Sequence, residues 1–162
     1  MVERTRSLSP ALTAFLEGDV SLMLASRDAA GWPTLGRVLA CDVSSDGGRL
    51  TVYLARTPNA ALVAAVAETG QAALVVTKPS THHSIQLKGR DAAVAPAGEG
   101  AAPVVAHHVT GFTRDVGLIG FSTAFSRTLM AHDPRDLAAV TFTPEAAFDQ
   151  TPGPRAGDPV EP

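Results

Sequence analysis

The run Pro79-Ser80-Thr81-His82-His83-Ser84-Ile85-Gln86-Leu87-Lys88-Gly89-Arg90 constrains the fold more than any other stretch of the chain. From Ser84 onward apolar and polar residues alternate. Ile85 and Leu87 point one way, and Ser84, Gln86, Lys88 and Arg90 point the other. A period of two belongs to a strand with one dry face. The second face carries hydrogen-bond donors and positive charge. It is either solvated surface or one wall of a site for a polar, anionic ligand.

The segments before it have the same character. Ser9-Pro10 predicts the start of a short helix, with Ser9 as cap, Pro10 in the first turn and Gly18 as the stop. Val20, Leu22 and Leu24 alternate with smaller or polar residues as a first strand, and Asp28 to Gly31 makes a turn. Thr34 to Val43 reads as one second strand, with Leu35, Arg37, Leu39, Cys41 and Val43 on one face. Arg37 would then be a guanidinium in an apolar row, which requires an anionic partner. That partner is an internal carboxylate or a ligand phosphate. Ser45-Asp46-Gly47-Gly48 is a hairpin turn, followed by a strand from Leu50 to Ala55. Strands joined by short turns indicate an antiparallel meander.

Thr57 as cap and Pro58 as first helical residue predict a helix from Asn59 to Glu68, stopped by Gly70. Leu62, Val63 and Val66 form its buried face. The amides of a helix start, with Arg56 beside them, suit a phosphate, or this is an ordinary capped helix. Ala72 to Thr77 is continuously apolar, the pattern of a strand buried on both faces. The alternating strand is expected to run on to about Val94. Pro96 to Pro103 breaks the sheet, Val104 to Val116 and Phe121 to Ala131 are helical, and Leu137 to Thr143 is a final strand. Residues from Ala156 onward are expected to be a mobile tail.

At 162 residues the chain has the length of one domain. The net charge of -3 excludes a basic nucleic-acid scaffold. The longest wholly apolar run, Ala60 to Ala67, is too short for a membrane span. The opening residues carry no apolar stretch of the secretory type. A single cysteine, Cys41, forms no intrachain disulfide, and a reduced, cytoplasmic setting is the expectation.

The histidines, His82-His83, His107-His108 and His132, form no chelating pattern, because neighbours on a strand face opposite ways. No metal site is expected. Cys41 lies on an apolar face, and no nucleophile elbow, dinucleotide fingerprint or P-loop is present. A bound cofactor would therefore have to supply any redox chemistry. Arg37, Arg56, Thr57, Gln86 and Lys88 together offer donors to an anionic ligand on an antiparallel sheet.

The order of these elements, from about Ala11 to Gly157, resembles the pyridoxamine 5'-phosphate oxidase-like, FMN-binding split β-barrels. Arg37-Val38-Leu39 is similar to the family strand whose arginine meets the flavin phosphate and whose backbone lines the isoalloxazine. Thr51-Val52-Tyr53, followed by Arg56-Thr57-Pro58-Asn59, resembles the strand, loop and helix start that add phosphate contacts. His83-Ser84-Ile85-Gln86-Leu87-Lys88-Gly89 is similar to the strand that faces the flavin across the subunit interface. Gln86 stands where the oxidase has an arginine, and Arg155 is what remains of its arginine-bearing substrate motif.

The resemblance implies a mainly β fold with flanking helices, a six-stranded antiparallel split β-barrel over residues 1–150, with a Pro/Gly-rich tail over 151–162. It also implies a homodimer and an FMN-dependent oxidoreductase acting on a small molecule. The implied cofactor residues are Arg37, Val38, Leu39, Tyr53, Arg56, Thr57, Asn59, His83, Ser84, Gln86 and Lys88. No general acid or base is assigned, His82 and His83 being the available imidazoles. Other members of the family bind haem or deazaflavin, or act as cofactor-free dimeric binding modules. These are the alternative readings.

Overall fold

A computed structural model describes residues 7–161. The basic opening residues 1–6 lie outside the described segment. Helix α1 (Pro10–Leu16) begins as expected, the Ser9 hydroxyl accepting from the Leu12 amide at 3.3 Å and Pro10 occupying the first turn. Strands β1 (Ser21–Arg27) and β2 (Pro33–Val38) form a hairpin. Its turn is held by the Asp28 carboxylate, which accepts from the Trp32 amide at 2.8 Å, and by Gly31 at φ +90°.

The chain then changes sheets. The single strand expected from Thr34 to Val43 is broken at Leu39 into β2 and β3 (Ala40–Val43). Val38 pairs with Leu22 of β1, whereas Ala40 pairs with Tyr53 of β4 (Leu50–Ala55). A strand that turns a corner between sheets spends a residue on the bend, so the alternation does not carry through. Gly36 and Val38 face inward from β2, while Leu35 and Arg37 face outward. Arg37 is therefore not in a continuous apolar row.

Helix α2 (Ala60–Thr69) starts later than expected. Thr57 is not its cap, and Asn59 occupies that position without a side-chain capping bond. Asn59 instead donates from Nδ2 to the Ala55 carbonyl at 2.7 Å. Gly70 ends the helix in the left-handed region at φ +66°. Strands β5 (Ala72–Lys78) and β6 (His83–Gly89) pair in register, Val75 opposite Gln86. In β5 only Ala72, Leu74 and Val76 are buried, while Ala73, Val75 and Thr77 are half-exposed. The expectation of burial on both faces is corrected, because no element among the described residues covers the outer face of these three positions.

The alternation of β6 stops at Gly89, and β7 (Ala93–Pro96) belongs to the other sheet. A Cβ on Gly89 would lie 2.6 Å from both the Thr143 carbonyl oxygen and Phe142 Cδ2, so the strand crosses its neighbour where only glycine fits. Helix α3 (Ala101–Leu118) runs unbroken through Thr110-Gly111, because Gly111 packs against Asp19, whose carboxylate also receives Arg114 one turn on. Helix α4 (Thr123–Leu129), capped by Ser122, and a 3₁₀ turn at Pro134–Asp136 lead into β8 (Leu137–Phe142). Then β9 (Ala146–Asp149) pairs with β6, and β10 (Pro159–Val160), in the segment expected as a tail, pairs with β9.

Two antiparallel sheets result, in the orders β10-β9-β6-β5-β1-β2 and β3-β4-β8-β7. The expected mainly β split barrel with flanking helices is present, with ten strands among the described residues where six were expected. The main core lies between the sheets and includes Leu22, Leu24, Val38, Leu50, Val52, Leu54, Leu74, Leu87 and Phe142. A second core, of Leu39, Val105, Phe112, Val116, Met130 and Leu137, lies under α3 and α4. Among the described residues no helix is long and apolar enough to cross a membrane.

Candidate functional site

The outer face of the six-stranded sheet is built by register alone. One row runs from Arg37 through Met23, Val75 and Gln86 to Phe148. The adjacent row runs from Leu35 through Ala25, Ala73 and Lys88 to Ala146. Arg37 and Gln86 stand three strand spacings apart, about 14 Å at ordinary sheet geometry. Between them the face is apolar.

Arg37 is half-buried, donates from Nη1 to the Ser21 hydroxyl at 3.2 Å, and lies 5.8 Å from the centre of the Phe112 ring. Both partners are neutral. No carboxylate pairs with this guanidinium among the described residues, and burial holds its pKa below the ordinary value. A half-buried cation without a counter-ion leaves a position open for an anion. At the far side of the face, the Lys88 ammonium sits 5.0 Å from the centre of the Phe148 ring. A cleft of about 570 Å³ opens beside it, floored by Ala25, Ala73 and Phe148 and rimmed by Arg27, Lys88 and Arg90. That volume lies within the range of small-molecule sites.

No family model and no curated protein matches the sequence. Solved structures do. HupZ of Group A Streptococcus superposes with a TM-score of 0.55 at 13% identity, over 93% of this chain and 99% of that one. A candidate pyridoxamine 5'-phosphate oxidase from Lactobacillus delbrueckii gives 0.53 at 17% identity, over 90% and 97% of the two chains. An F420 reductase gives 0.52 at 15% identity, over 86% and 98%. The chain has the pyridoxamine 5'-phosphate oxidase-like split-barrel fold. At these identities the likeness is one of fold.

On this split barrel the residues singled out in the sequence fall into separate groups. Arg37, Gln86 and Lys88 share the outer face. Ser84 shares their parity but is buried, bonded to the Thr77 hydroxyl at 2.8 Å and to the His82 carbonyl at 3.0 Å. Val38 and Leu39 send their side chains into the two cores. His83 faces the other way, its ring 4.7 Å from that of Phe15 and Nδ1 3.1 Å from the Thr151 hydroxyl. Tyr53, on the second sheet, packs against the core beneath α3, and burial followed by the Asp42 charge raises its pKa.

The loop before α2 is already engaged. Asp136 accepts from the Thr57 amide and from the Thr57 hydroxyl, each at 2.9 Å, and its carbonyl accepts from the Arg56 amide at 2.7 Å. An internal carboxylate thus occupies the anion position expected there. Asn59 is held against Gly36 and the Ala55 carbonyl. The guanidinium of Arg56 is exposed.

The histidines are dispersed, and none belongs to the two outer-face rows. His82 is exposed at φ +61°, and His132 donates from Nδ1 to the Met130 carbonyl, 2.9 Å away. Cys41 is buried beside the Leu16 carbonyl, and burial pushes its thiol pKa far up, so the sulfur is a small apolar core group. Sequence reasoning grouped Arg90 with Lys88 but missed Arg27 and Phe148 as neighbours of Lys88. The available signal was the parity of β1, which places Arg27 on the face of Met23 and Ala25.

Proposed function

We propose that this split barrel binds FMN on the outer face of its six-stranded sheet and acts, as a homodimer, in oxidoreduction of a small molecule. The observation that carries the reading is Arg37, a half-buried guanidinium without a carboxylate partner, at one end of an apolar face that bears Gln86 and Lys88 at the other. Its planar fork suits a phosphate. The intervening Met23 and Val75 offer apolar contact to a planar ring, and Gln86 and Lys88 offer it donors. The fit is to these residues rather than to Thr57, whose donors belong to Asp136.

When bound, a flavin supplies the electron and hydride chemistry. The chain's part is to fix the phosphate through Arg37, exclude water with the apolar rows, and present donors that favour the reduced, anionic ring through Gln86 and Lys88. Homodimerisation would cover the otherwise open face.

Fluorescence titration tests the reading. FMN emission is expected to change saturably with a dissociation constant of roughly micromolar or tighter. Replacement Arg37→Met should weaken FMN about tenfold or more, and leave riboflavin, which lacks the phosphate, nearly unaffected. Absence of saturable binding at protein concentrations far above micromolar would overturn the proposal, as would preferential binding of hemin or a deazaflavin.

A further inference from the structure

A second cleft, lined by none of the residues of the two outer-face rows, lies where α1, β3 and the first half of α3 meet. It has a volume of about 310 Å³ and is lined by Glu17, Cys41, Asp42, Pro103, Val104, His107 and His108. Its polar chemistry is one-sided. His108 is only 2% exposed, and its Nε2 lies 2.8 Å from the Cys41 carbonyl oxygen. A carbonyl accepts only, so Nε2 carries the proton and Nδ1 presents a lone pair. That Nδ1 is buried without a hydrogen-bond partner. An unpaired buried acceptor is costly.

His107 repeats the arrangement, with its Nε2 3.1 Å from the Glu17 carbonyl oxygen. In its neutral form that ring, too, carries the lone pair on Nδ1. Glu17 and Asp42 add carboxylates, and Glu17 Oε1 already accepts from the Val43 amide at 3.2 Å. No lysine or arginine lines the cleft. A wall made of acceptors calls for a ligand made of donors with positive charge. Among the described residues no three His, Cys, Asp or Glu groups converge closely enough to hold a metal ion. Pro103 and Val104 supply an apolar wall instead, which suits an alkyl chain.

We propose that this cleft binds a small organic ammonium ion, a primary amine on a short alkyl chain, with its N–H groups directed to the imidazole and carboxylate acceptors. The site is independent of the flavin reading and lies outside its residues.

The test is calorimetric titration of the whole protein with n-butylamine hydrochloride, against n-butanol and sodium butyrate, together with nitrogen NMR of the imidazoles. The amine should bind saturably at one site, and the alcohol and acid should not. The His108 Nδ1 resonance should move on binding. Asp42→Asn, a change at an exposed side chain, should weaken the amine about tenfold through loss of a charge-assisted bond. Absence of saturable amine binding would overturn the proposal. Equal binding of butanol or butyrate would do so too, as would an amine affinity unchanged by Asp42→Asn or an unmoved His108 signal. Saturable zinc binding in place of amine would also overturn it.

Discussion

Asp115 shows how much one side chain can organise. It is fully buried on α3 and accepts from the Ser80 amide at 2.8 Å, from the Ser80 hydroxyl at 2.7 Å and from the Lys78 ammonium at 3.0 Å. It thereby clamps the turn that aims β6. Burial alone would raise its pKa, but the Ser80 and Lys78 bonds outweigh burial and hold it below the ordinary carboxylate value. The ionised form is thus favoured by folding. Its contribution is complete above the unfolded-state value of about 4, and is lost as pH falls through the lower folded value. Asp115→Asn should cost about 2–4 kcal/mol in urea denaturation at neutral pH, and the difference from the native chain should shrink in acid. An equal difference at all pH values would refute this. Nothing around Asp115 in the sequence announces the clamp, because its partners lie 35 and 37 residues away. Arg37, by contrast, was legible as a cation in want of an anion. Its place on the outer face was not, because the bend at Leu39 resets the parity on which the reading rested.

Elements were legible wherever period and punctuation agreed. The Ser9-Pro10 start, the Gly70 stop and the alternation of β6 all stand in the structure. They failed where distant packing overrides local preference. Gly111 leaves α3 unbroken because the helix needs a bare position against Asp19, and β6 ends at Gly89 because its path crosses Phe142 and Thr143. Gly89→Ala should therefore destabilise by roughly 1–3 kcal/mol, since the added methyl meets backbone as well as a ring. Gly98→Ala, where no atom lies within 4 Å of the added carbon, should be close to neutral. Thermal or urea unfolding of the two variants would show the contrast, and equal effects would remove the close-approach explanation. The loop before α2 carries the same lesson. Thr57-Pro58 reads locally as a cap and first turn, yet Asp136 from the 3₁₀ turn takes its donors and the helix begins at Ala60.

For the whole molecule, the resemblance read from the order of strands and helices anticipated the split barrel, whereas the division into two sheets was beyond period and spacing. On the outer face Leu35 is 66% exposed, and in the adjoining β1–β2 turn Trp32, the only tryptophan, is 73% exposed. If a second copy covers this face as proposed, Trp32 reports it. Its emission should be blue-shifted at high concentration and move to the red on dilution, in step with the loss of dimer mass in sedimentation, and Leu35→Glu should shift both transitions to higher concentration. Emission that ignores concentration while the mass changes would place the contact elsewhere. The bend at Leu39 has a consequence of another kind. The amide of Leu39 bonds to the Tyr53 carbonyl at 2.8 Å, while the preceding residue is paired into the other sheet, so two neighbouring peptide units belong to different hydrogen-bonded layers. The two layers are thereby hinged by a single covalent step and share one core. Hydrogen exchange at that step becomes a gauge of global opening, since neither layer can detach from the hinge without exposing the apolar interior of both.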